Sequence, residues 1–371
     1  MSILFSPIDF GPMQLANRIV VAPMCQYSAD QGKSTDWHTI HLGGLALSGA
    51  GLLIIEATAV NAQARITYAD LGLWNDATEQ ALAKTLNTIR PYSNIPIGIQ
   101  LAHAGRKGST EKPWRGGHAI STEQKNGWQT IAPSAIAYDD DFAIPTEATD
   151  SDINDIIQDF VESAKRATRL GLDAIEIHAA HGYLLHQFLS PLSNLREDHY
   201  GGSLVNRMRL VLEIFAAVRD VMPADKAVGV RISATDWVDG GWDLSQSLEL
   251  AKELQQLGCD FLHVSSGGLS VEQEIPVSAG YQVPYAETIK KVVTMPIIAV
   301  GLITDANQAE EIVSKNKADS VALARGMLYN PHWVWHAAET LSAKVEIPAQ
   351  YMRCEPQNTK PHFIQSNLID E

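Results

Sequence analysis

Two histidines and a tyrosine follow a short apolar run in the middle of the chain, and all three side chains can hold or transfer protons. The run 174–177 leads directly into His178, His181 and Tyr183. Its Ile-rich composition predicts a buried strand, so the three residues fall where that strand ends. Active sites of parallel α/β proteins collect at this position. The i, i+3 spacing of the histidines alone is equally compatible with a metal pair or with two buried core residues.

Eight short apolar runs recur along the chain, separated by amphipathic segments. Most are continuous stretches of Val, Ile, Leu and Ala, which is typical of parallel strands covered on both faces. The runs are residues 18–23, 52–58, 96–101, 174–178, 227–232, 261–265, 296–300 and 320–324. Eight β units alternating with helices predict an α/β protein with a closed (β/α)8 TIM barrel. An open doubly wound sheet is the alternative, but no G-x-G-x-x-G follows any of the runs.

Local signals mark helix ends and two irregular segments. The acids at 150–152 and Thr304-Asp305 predict helix starts, and Gly171 and Gly258 predict helix ends. Residues 103–149, rich in Gly, Trp, Pro and Ser, predict a long ordered insertion after the third strand, with a short hairpin. We expect one domain over 1–355 and a mobile tail over 356–371.

Composition limits the cellular compartment and the classes of binding partner that we expect. The 371 residues are 45% hydrophobic and carry a formal net charge of −15, which disfavours binding to a phosphate backbone. No apolar stretch has the length of a membrane span and the start lacks the features of a signal peptide. Cys25, Cys259 and Cys354 are odd in number and far apart, so neither a disulfide framework nor a zinc site is indicated. We expect a cytoplasmic protein that binds neither nucleic acid nor membrane.

The predicted strand ends carry polar groups that suit an anionic organic ligand. Gln100, Arg231 and Arg325 lie at or beside the ends of three runs, whereas a metal site would need carboxylates or further histidines there. The last two strands of a barrel commonly hold a phosphate. Gly301 and Arg325 supply close backbone approach and a guanidinium fork at those two strands.

Several segments together resemble the Old Yellow Enzyme family of FMN-dependent ene-reductases, most closely the bacterial branch that includes xenobiotic reductases. The matching segments span nearly the whole chain in family order: 22–27, 100–107, 178–184, 190–194, 200–203, 206–207 and 300–303. A set of this extent is far more specific than any one motif.

The resemblance implies that FMN is bound across the barrel mouth. The residues implied to hold it are Pro23, Met24, Cys25, Ala57, Gln100, Arg231, Gly301, Ala324 and Arg325. In this arrangement Gln100 bonds the pyrimidine edge of the flavin, and Arg231 lies near its N1/O2 side and stabilises the reduced form. Ala324 departs from the family, where many relatives have glycine before the arginine.

The same resemblance implies the chemistry. NADPH or NADH reduces the flavin, and His178 and His181 bind the carbonyl or nitro oxygen of an electron-poor alkene. The flavin then delivers hydride from N5 to the β carbon, and Tyr183 protonates the α carbon as general acid. Tyr27 contacts the substrate from the other side, and Cys25 modulates the flavin and the substrate fit.

The resemblance further implies a homodimer or homotetramer in which Arg353 reaches the neighbouring active site. Lys107 is expected either to line the pocket mouth or to be solvated.

Two other functional classes stay open from the residues alone. One is a metal-dependent barrel hydrolase or lyase that uses His178 and His181 as ligands. The other is a non-catalytic barrel that binds a phosphorylated small molecule.

Overall fold

Eight parallel strands close into a barrel in the order in which they follow one another along the chain. The computed structural model describes residues 2–355 and 361–366. The barrel strands are β1 (Ile19–Val21), β2 (Leu52–Ala59), β3 (Ile97–Ala102), β4 (Ala174–Ala179), β5 (Ala227–Ser233), β6 (Phe261–Ser265), β7 (Ile297–Ala299) and β8 (Ser320–Leu323). All eight predicted strands are confirmed, with ends that differ by at most two residues. Their continuous apolar runs are buried on both faces, as parallel strands require.

Helices connect the strands and cover the barrel. They are α1 (Asp36–Ala46), α2 (Asp76–Ile89), α3 (Asp150–Arg169), α4 (Leu184–Leu189), α5 (Leu204–Val221), α6 (Leu244–Gln256), α7 (Val283–Lys290), α8 (Ala306–Ser314), α9 (Arg325–Tyr329) and α10 (Trp333–Thr340). Asp305 caps α8 as predicted, since its Oδ1 accepts a hydrogen bond from the Gln308 N–H at 2.9 Å. The cap of α3 is Thr149 rather than 150–152, and Asp152 completes its capping box.

An antiparallel hairpin, Ile8–Phe10 with Met13–Leu15, closes the amino-terminal end of the barrel. Its Phe10 ring stacks on Phe261 at a centroid distance of 5.2 Å. Gly229 lies beside that ring, and a Cβ there would come within 2.3 Å of it. The filled floor leaves the carboxyl ends of the strands as the open mouth.

The insertion over 103–149 is irregular but tied to the barrel. It contains two 3₁₀ turns, Gly105–Lys107 and Pro113–Arg115, and a short pair of strands, Ile131–Ala132 and Thr146–Glu147. That pair is parallel and is not a hairpin. The expected short hairpin lies earlier in the insertion, where Thr110 pairs antiparallel with Ala119 and the Glu111 N–H donates to the carbonyl of His118 at 2.9 Å. Arg196 anchors the pair by donating to the carbonyls of Pro133 and Ala148.

Part of the predicted tail can be described. Phe363–Gln365 forms a strand that pairs in parallel with Val345–Ile347. Residues 356–360 and 367–371 lie outside the described residues, and the mobility expected for 356–371 stays a prediction. Within the residues described, none of the helices has the length and apolar character needed to cross a membrane.

Two glycines give a matched test of this packing. Gly44 is exposed on α1 with nothing within 4 Å of an added Cβ, so Gly44→Ala should stabilise the fold by about 0.5–1 kcal/mol through a less flexible unfolded chain. Gly229→Ala should destabilise it by about 1–3 kcal/mol, because the ring of Phe261 must move. Urea unfolding measures both free energies, and equal effects of the two substitutions would contradict the packing described for the barrel floor.

Candidate functional site at the barrel mouth

The predicted proton-handling residues come together at the mouth. His178 lies on β4, and its Nε2 is 3.3 Å from Nδ1 of His181. The ring of Tyr183 is edge-on to His178, with centroids 5.0 Å apart. The neighbouring strand places Arg231 in register with His178. The structure therefore gathers two imidazoles, a phenol and a guanidinium within one wall of the mouth.

A chain of hydrogen bonds fixes which nitrogen of each histidine carries the proton. The Ala180 N–H donates to Nδ1 of His178 at 3.2 Å, so a neutral His178 carries its proton on Nε2 and donates to His181. Nε2 of His181 then donates to the Ser265 hydroxyl at 2.8 Å. That hydroxyl donates onward to Oε1 of Gln282 at 3.3 Å.

Both imidazoles are neutral at ordinary pH. Burial, followed by the positive charge of Arg231, lowers the pKa of His178 and of His181 well below the usual value of 6.5. Each ring therefore offers one N–H donor and carries no net charge. Such donors can polarise an oxygen without attracting a permanent counter-ion.

A strained turn positions His181. Its φ is +58° and that of Gly182 is +74°, a conformation that glycine adopts readily and histidine rarely. A Cβ on Gly182 would lie 2.0 Å from the carbonyl oxygen of Gly268. The loops after β4 and β6 can approach this closely only because both positions are glycine.

Lys107 clamps the same two loops. Its Nζ donates to the carbonyl of His181 at 3.0 Å and to that of Gly268 at 2.7 Å, and it lies over the ring of Tyr183 at 5.4 Å. Burial, followed by Arg106, lowers the pKa of Lys107 to about 7. The lysine is therefore neither solvated nor simply part of the pocket rim. Sequence reasoning missed this role because both of its partners are backbone carbonyls of distant loops.

The segment after β1 forms the opposite wall. Burial raises the pKa of the Cys25 thiol well above its usual value, with further contributions from Asp70 and Glu56, so Cys25 is not a thiolate nucleophile. Burial also raises the pKa of Tyr27 and of Tyr183, which keeps both phenols protonated. The ring of Tyr27 packs edge-on against Trp114 of the insertion, with centroids 6.1 Å apart.

Glu56 ties this wall to β2. Its Oε2 accepts a hydrogen bond from the Gln26 N–H at 2.8 Å, and it sits at a break in the register between β2 and β3. Ala57, predicted to lie under the ligand, follows directly and is buried. Met24 packs on the core while Pro23 is half-buried. The 23–27 segment is thereby held against the strand that carries Ala57.

A cavity of about 160 Å³ lies beside Arg231, at the ends of the last three strands. Among its lining residues are Gln282, Gly301, Ala324 and Arg325, three of which were predicted. Gly301 has a φ of +127°, and an added Cβ would come within 2.9 Å of Nε2 of Gln282. Nε of Arg231 is buried without a partner among the described residues. This combination fits an anionic ligand with a phosphate near Gly301 and Arg325.

Two residues that sequence reasoning did not assign hold the floor of the site. Glu176 accepts from Nε2 of Gln100 at 2.7 Å and lies 2.8 Å from Nδ1 of His263. A glutamate inside a continuous apolar run was the available signal, because a buried carboxylate needs partners. Its partner His263 could not be predicted, because the sequence does not distinguish it from an ordinary core histidine.

Arg353 lies apart from these groups. It is exposed on the 3₁₀ helix Ala349–Cys354, and no hydrogen bond, ion pair or ring contact within 2–355 and 361–366 joins it to His178, His181 or Tyr183. Across the same residues, no cluster of three or more His, Cys, Asp or Glu side chains is arranged to hold a metal ion.

The fold and the site define a barrel whose mouth can hold an anionic ligand, and comparison with known proteins identifies the family. Residues 3–344 match the family model described as NADH:flavin oxidoreductase / NADH oxidase family. The chain therefore belongs to this family, that of Old Yellow Enzyme, and is an FMN-dependent oxidoreductase that uses a nicotinamide hydride donor. The predicted family, fold and cofactors are thereby confirmed, and the hydrolase and non-catalytic alternatives are not.

Individual relatives cover almost all of the chain. An NADPH dehydrogenase of Listeria innocua is 44% identical over 355 residues, 95% of this chain and 99% of that protein. An NADPH dehydrogenase of Bacillus subtilis is 43% identical over 352 residues, 94% and 98% of the two chains. A structure of morphinone reductase in complex with tetrahydroNAD has a TM-score of 0.75 at 27% identity, and the match covers 99% of each chain.

The histidine that follows β3 gives a pH-dependent prediction. His103 is buried, its Nδ1 accepts from the Gly105 N–H at 3.0 Å, and burial lowers its pKa from 6.5 to about 3. Between these values the unfolded chain binds a proton that the folded chain excludes. Stability should therefore fall as the pH drops from 6.5 to 3, with His103 contributing up to about 1.4 kcal/mol per pH unit.

His103→Asn keeps an acceptor for Gly105 but does not titrate. Free energies of unfolding from urea titrations should differ little in their pH slope above pH 7. Below pH 6.5 the slope for the variant should be shallower than that of the parent. Parallel slopes in acid would mean that His103 is not held neutral by the fold.

Proposed function

We propose that the protein is an ene-reductase that transfers hydride from NADPH or NADH, through bound FMN, to the β carbon of activated alkenes such as enones and also accepts nitro compounds. The two half-reactions share one site in a ping-pong cycle, and the enzyme works in the cytoplasm. The pair of neutral N–H donors on His178 and His181, next to a protonated Tyr183, carries this proposal. The two histidines can bind an oxygen of a substrate, and the tyrosine can protonate a nearby carbon.

The cofactor half of the site is assigned to the strand ends. FMN supplies the hydride chemistry. Arg325 and the backbone at Gly301 and Ala324 hold its phosphate, and Arg231 supplies positive charge where negative charge develops on the ring. Gln100 bonds the pyrimidine edge, while Pro23, Met24, Cys25 and Ala57 line the ring.

The substrate half is assigned to the loops. The N–H of His178 now donates to His181, and that of His181 to Ser265. An incoming carbonyl or nitro oxygen replaces these two acceptors and receives both N–H bonds. Enolate charge that develops on this oxygen strengthens the two hydrogen bonds. Tyr183 gives its proton to the α carbon. Tyr27 closes the opposite side and Cys25 adjusts the fit.

Tyr183→Phe separates the two half-reactions. In anaerobic stopped-flow experiments NADPH should bleach the flavin absorbance of parent and variant at similar rates, because no carbon is protonated in that step. Reoxidation by cyclohexenone should be slower in the variant by about 10²–10⁴, the usual contribution of a positioned general acid.

Ferricyanide provides the control, since it takes electrons without needing a proton on carbon, and it should reoxidise both proteins equally. Unchanged reoxidation of the variant by cyclohexenone would assign the acid to another residue. A parent enzyme that is reduced by NADPH but not reoxidised by any enone or nitroalkene would refute the proposed function.

We further propose that the enzyme is a homodimer or homotetramer and that Arg353 enters the active site of a neighbouring subunit. Its exposure on this chain, away from His178 and His181, supports that assignment. Arg353→Ala should weaken phenolate binding about tenfold, or about 1.4 kcal/mol, with FMN retained. Titration of the flavin spectrum with phenolate measures the affinity.

Hybrid oligomers test the sharing directly. Subunits with Arg353→Ala and subunits with Tyr183→Phe each lack one component of a site. If the arginine acts in the neighbouring subunit, mixed oligomers contain sites with both Arg353 and Tyr183, and cyclohexenone turnover should recover. If it acts within its own subunit, or not at all, mixing should give no recovery.

A further inference from the structure

Four buried polar residues from four neighbouring strands form a cluster inside the barrel, just below its mouth. Gln100 on β3, Glu176 on β4, Arg231 on β5 and His263 on β6 are each at most 7% exposed. Strand register places Gln100 opposite Glu176 and His263 opposite Arg231. We refer to these four residues as the Glu176 cluster.

The carboxylate of Glu176 is the centre of the cluster. One oxygen accepts from Nε2 of Gln100 at 2.7 Å, and the other lies 2.8 Å from Nδ1 of His263. Burial acts to raise the pKa of Glu176, but His263, Arg231 and Gln100 together lower it below the usual value. The carboxylate is therefore ionised inside the barrel, where an unpaired charge would be very costly.

The histidine contributes a hydrogen bond and no charge. Burial, followed by Arg231, lowers the pKa of His263, so the ring is neutral and donates from Nδ1 to Glu176. Glu176 and Arg231 then cancel in net charge. Arg231, which by itself would present a full positive charge to a ligand at the mouth, acts there together with a neighbouring negative charge.

The same carboxylate fixes the orientation of Gln100. An ionised carboxylate only accepts hydrogen bonds, so the amide nitrogen of Gln100 must face Glu176. Its Oε1 then faces the other way, and it accepts no hydrogen bond from any residue in 2–355 or 361–366. The amide is thereby held ready to accept from a ligand N–H, such as N3–H of a flavin pyrimidine ring.

We propose that Glu176 is a positioning residue for the flavin: it orients Gln100 toward the pyrimidine edge and offsets the charge of Arg231, and it thereby lowers the flavin potential. The inference rests on FMN being bound as in the proposed function. Two electrons and one proton reduce the flavin to an anion, whose charge Arg231 stabilises and Glu176 opposes. The offset keeps the reduced cofactor a strong hydride donor.

Glu176→Gln tests the charge, using FMN-loaded enzyme and sulfite as the probe. Sulfite adds to N5 of oxidised flavin and leaves a negative charge on the ring, so its affinity rises as the site becomes more positive. We expect sulfite to bind about tenfold more tightly to the variant. For a two-electron couple this equals a positive shift of about 30 mV in midpoint potential, to be measured by dye equilibration.

Asp319→Asn is the matched control. Asp319 is a partly buried carboxylate that accepts a hydrogen bond from the Ile297 N–H of β7 and pairs with Lys290. It precedes β8 and so lies at the opposite end of the barrel. Its substitution removes the same charge and should leave sulfite affinity and potential unchanged. Equal shifts in both variants would overturn the local electrostatic role.

Glu176→Asp tests the orientation and covers the case in which Glu176→Gln fails to fold. The shorter side chain keeps the charge but draws the carboxylate away from Gln100 and His263. FMN should dissociate several-fold faster while the potential stays close to that of the parent. Dissociation at the parental rate from Glu176→Asp, or unchanged sulfite affinity in a folded Glu176→Gln, would overturn the proposal. Neither measurement needs an alkene, so a failure of enone turnover is distinguishable from a failure of this inference.

Discussion

The candidate site depends on how closely two loops approach each other at the barrel mouth. Gly182 and Gly268 are in backbone contact, and a Cβ on either would lie within 2.6 Å of the other loop. Lys107 bridges the same loops through the carbonyls of His181 and Gly268. This contact holds His181 at a positive φ, and such strain persists only where the surroundings over-determine it. The strain is thus part of how the two imidazoles are brought together.

Burial then decides the charge state of what has been assembled. The pKa of Glu176 is lowered by His263, Arg231 and Gln100 against the effect of burial, so its carboxylate stays ionised. His178 and His181 are neutral because burial, and then the charge of Arg231, lowers the pKa of each. The phenol of Tyr183 stays protonated for the same reason of burial. In the wall that contains the two histidines, the positive charge of Arg231 therefore lies beside neutral donors. Neutral donors of this kind can stabilise negative charge that develops on a bound oxygen during a reaction.

The fold was predictable because each strand is a local pattern. A run such as 296–300 is apolar at every position, which is typical of a parallel strand covered on both faces. The helix cap at Asp305 was equally local. Lys107 and Glu176 were not predictable in their roles, because their partners come from other strands and loops that meet only in the closed barrel. The parallel strand pair of the insertion was not predictable for the same reason, because Arg196, which holds it, lies far along the chain.

The two halves of the site rest on different kinds of structure, and this has consequences for how each can vary. Arg231, Gln100 and Glu176 stand on strands, where register and burial fix their positions. Tyr27 and Tyr183 stand on loops that contact the insertion, to which Lys107 itself belongs. Loops tolerate substitution better than strands do. Substitutions at these loop positions should therefore be tolerated more readily than substitutions of Arg231, Gln100 or Glu176 on the strands.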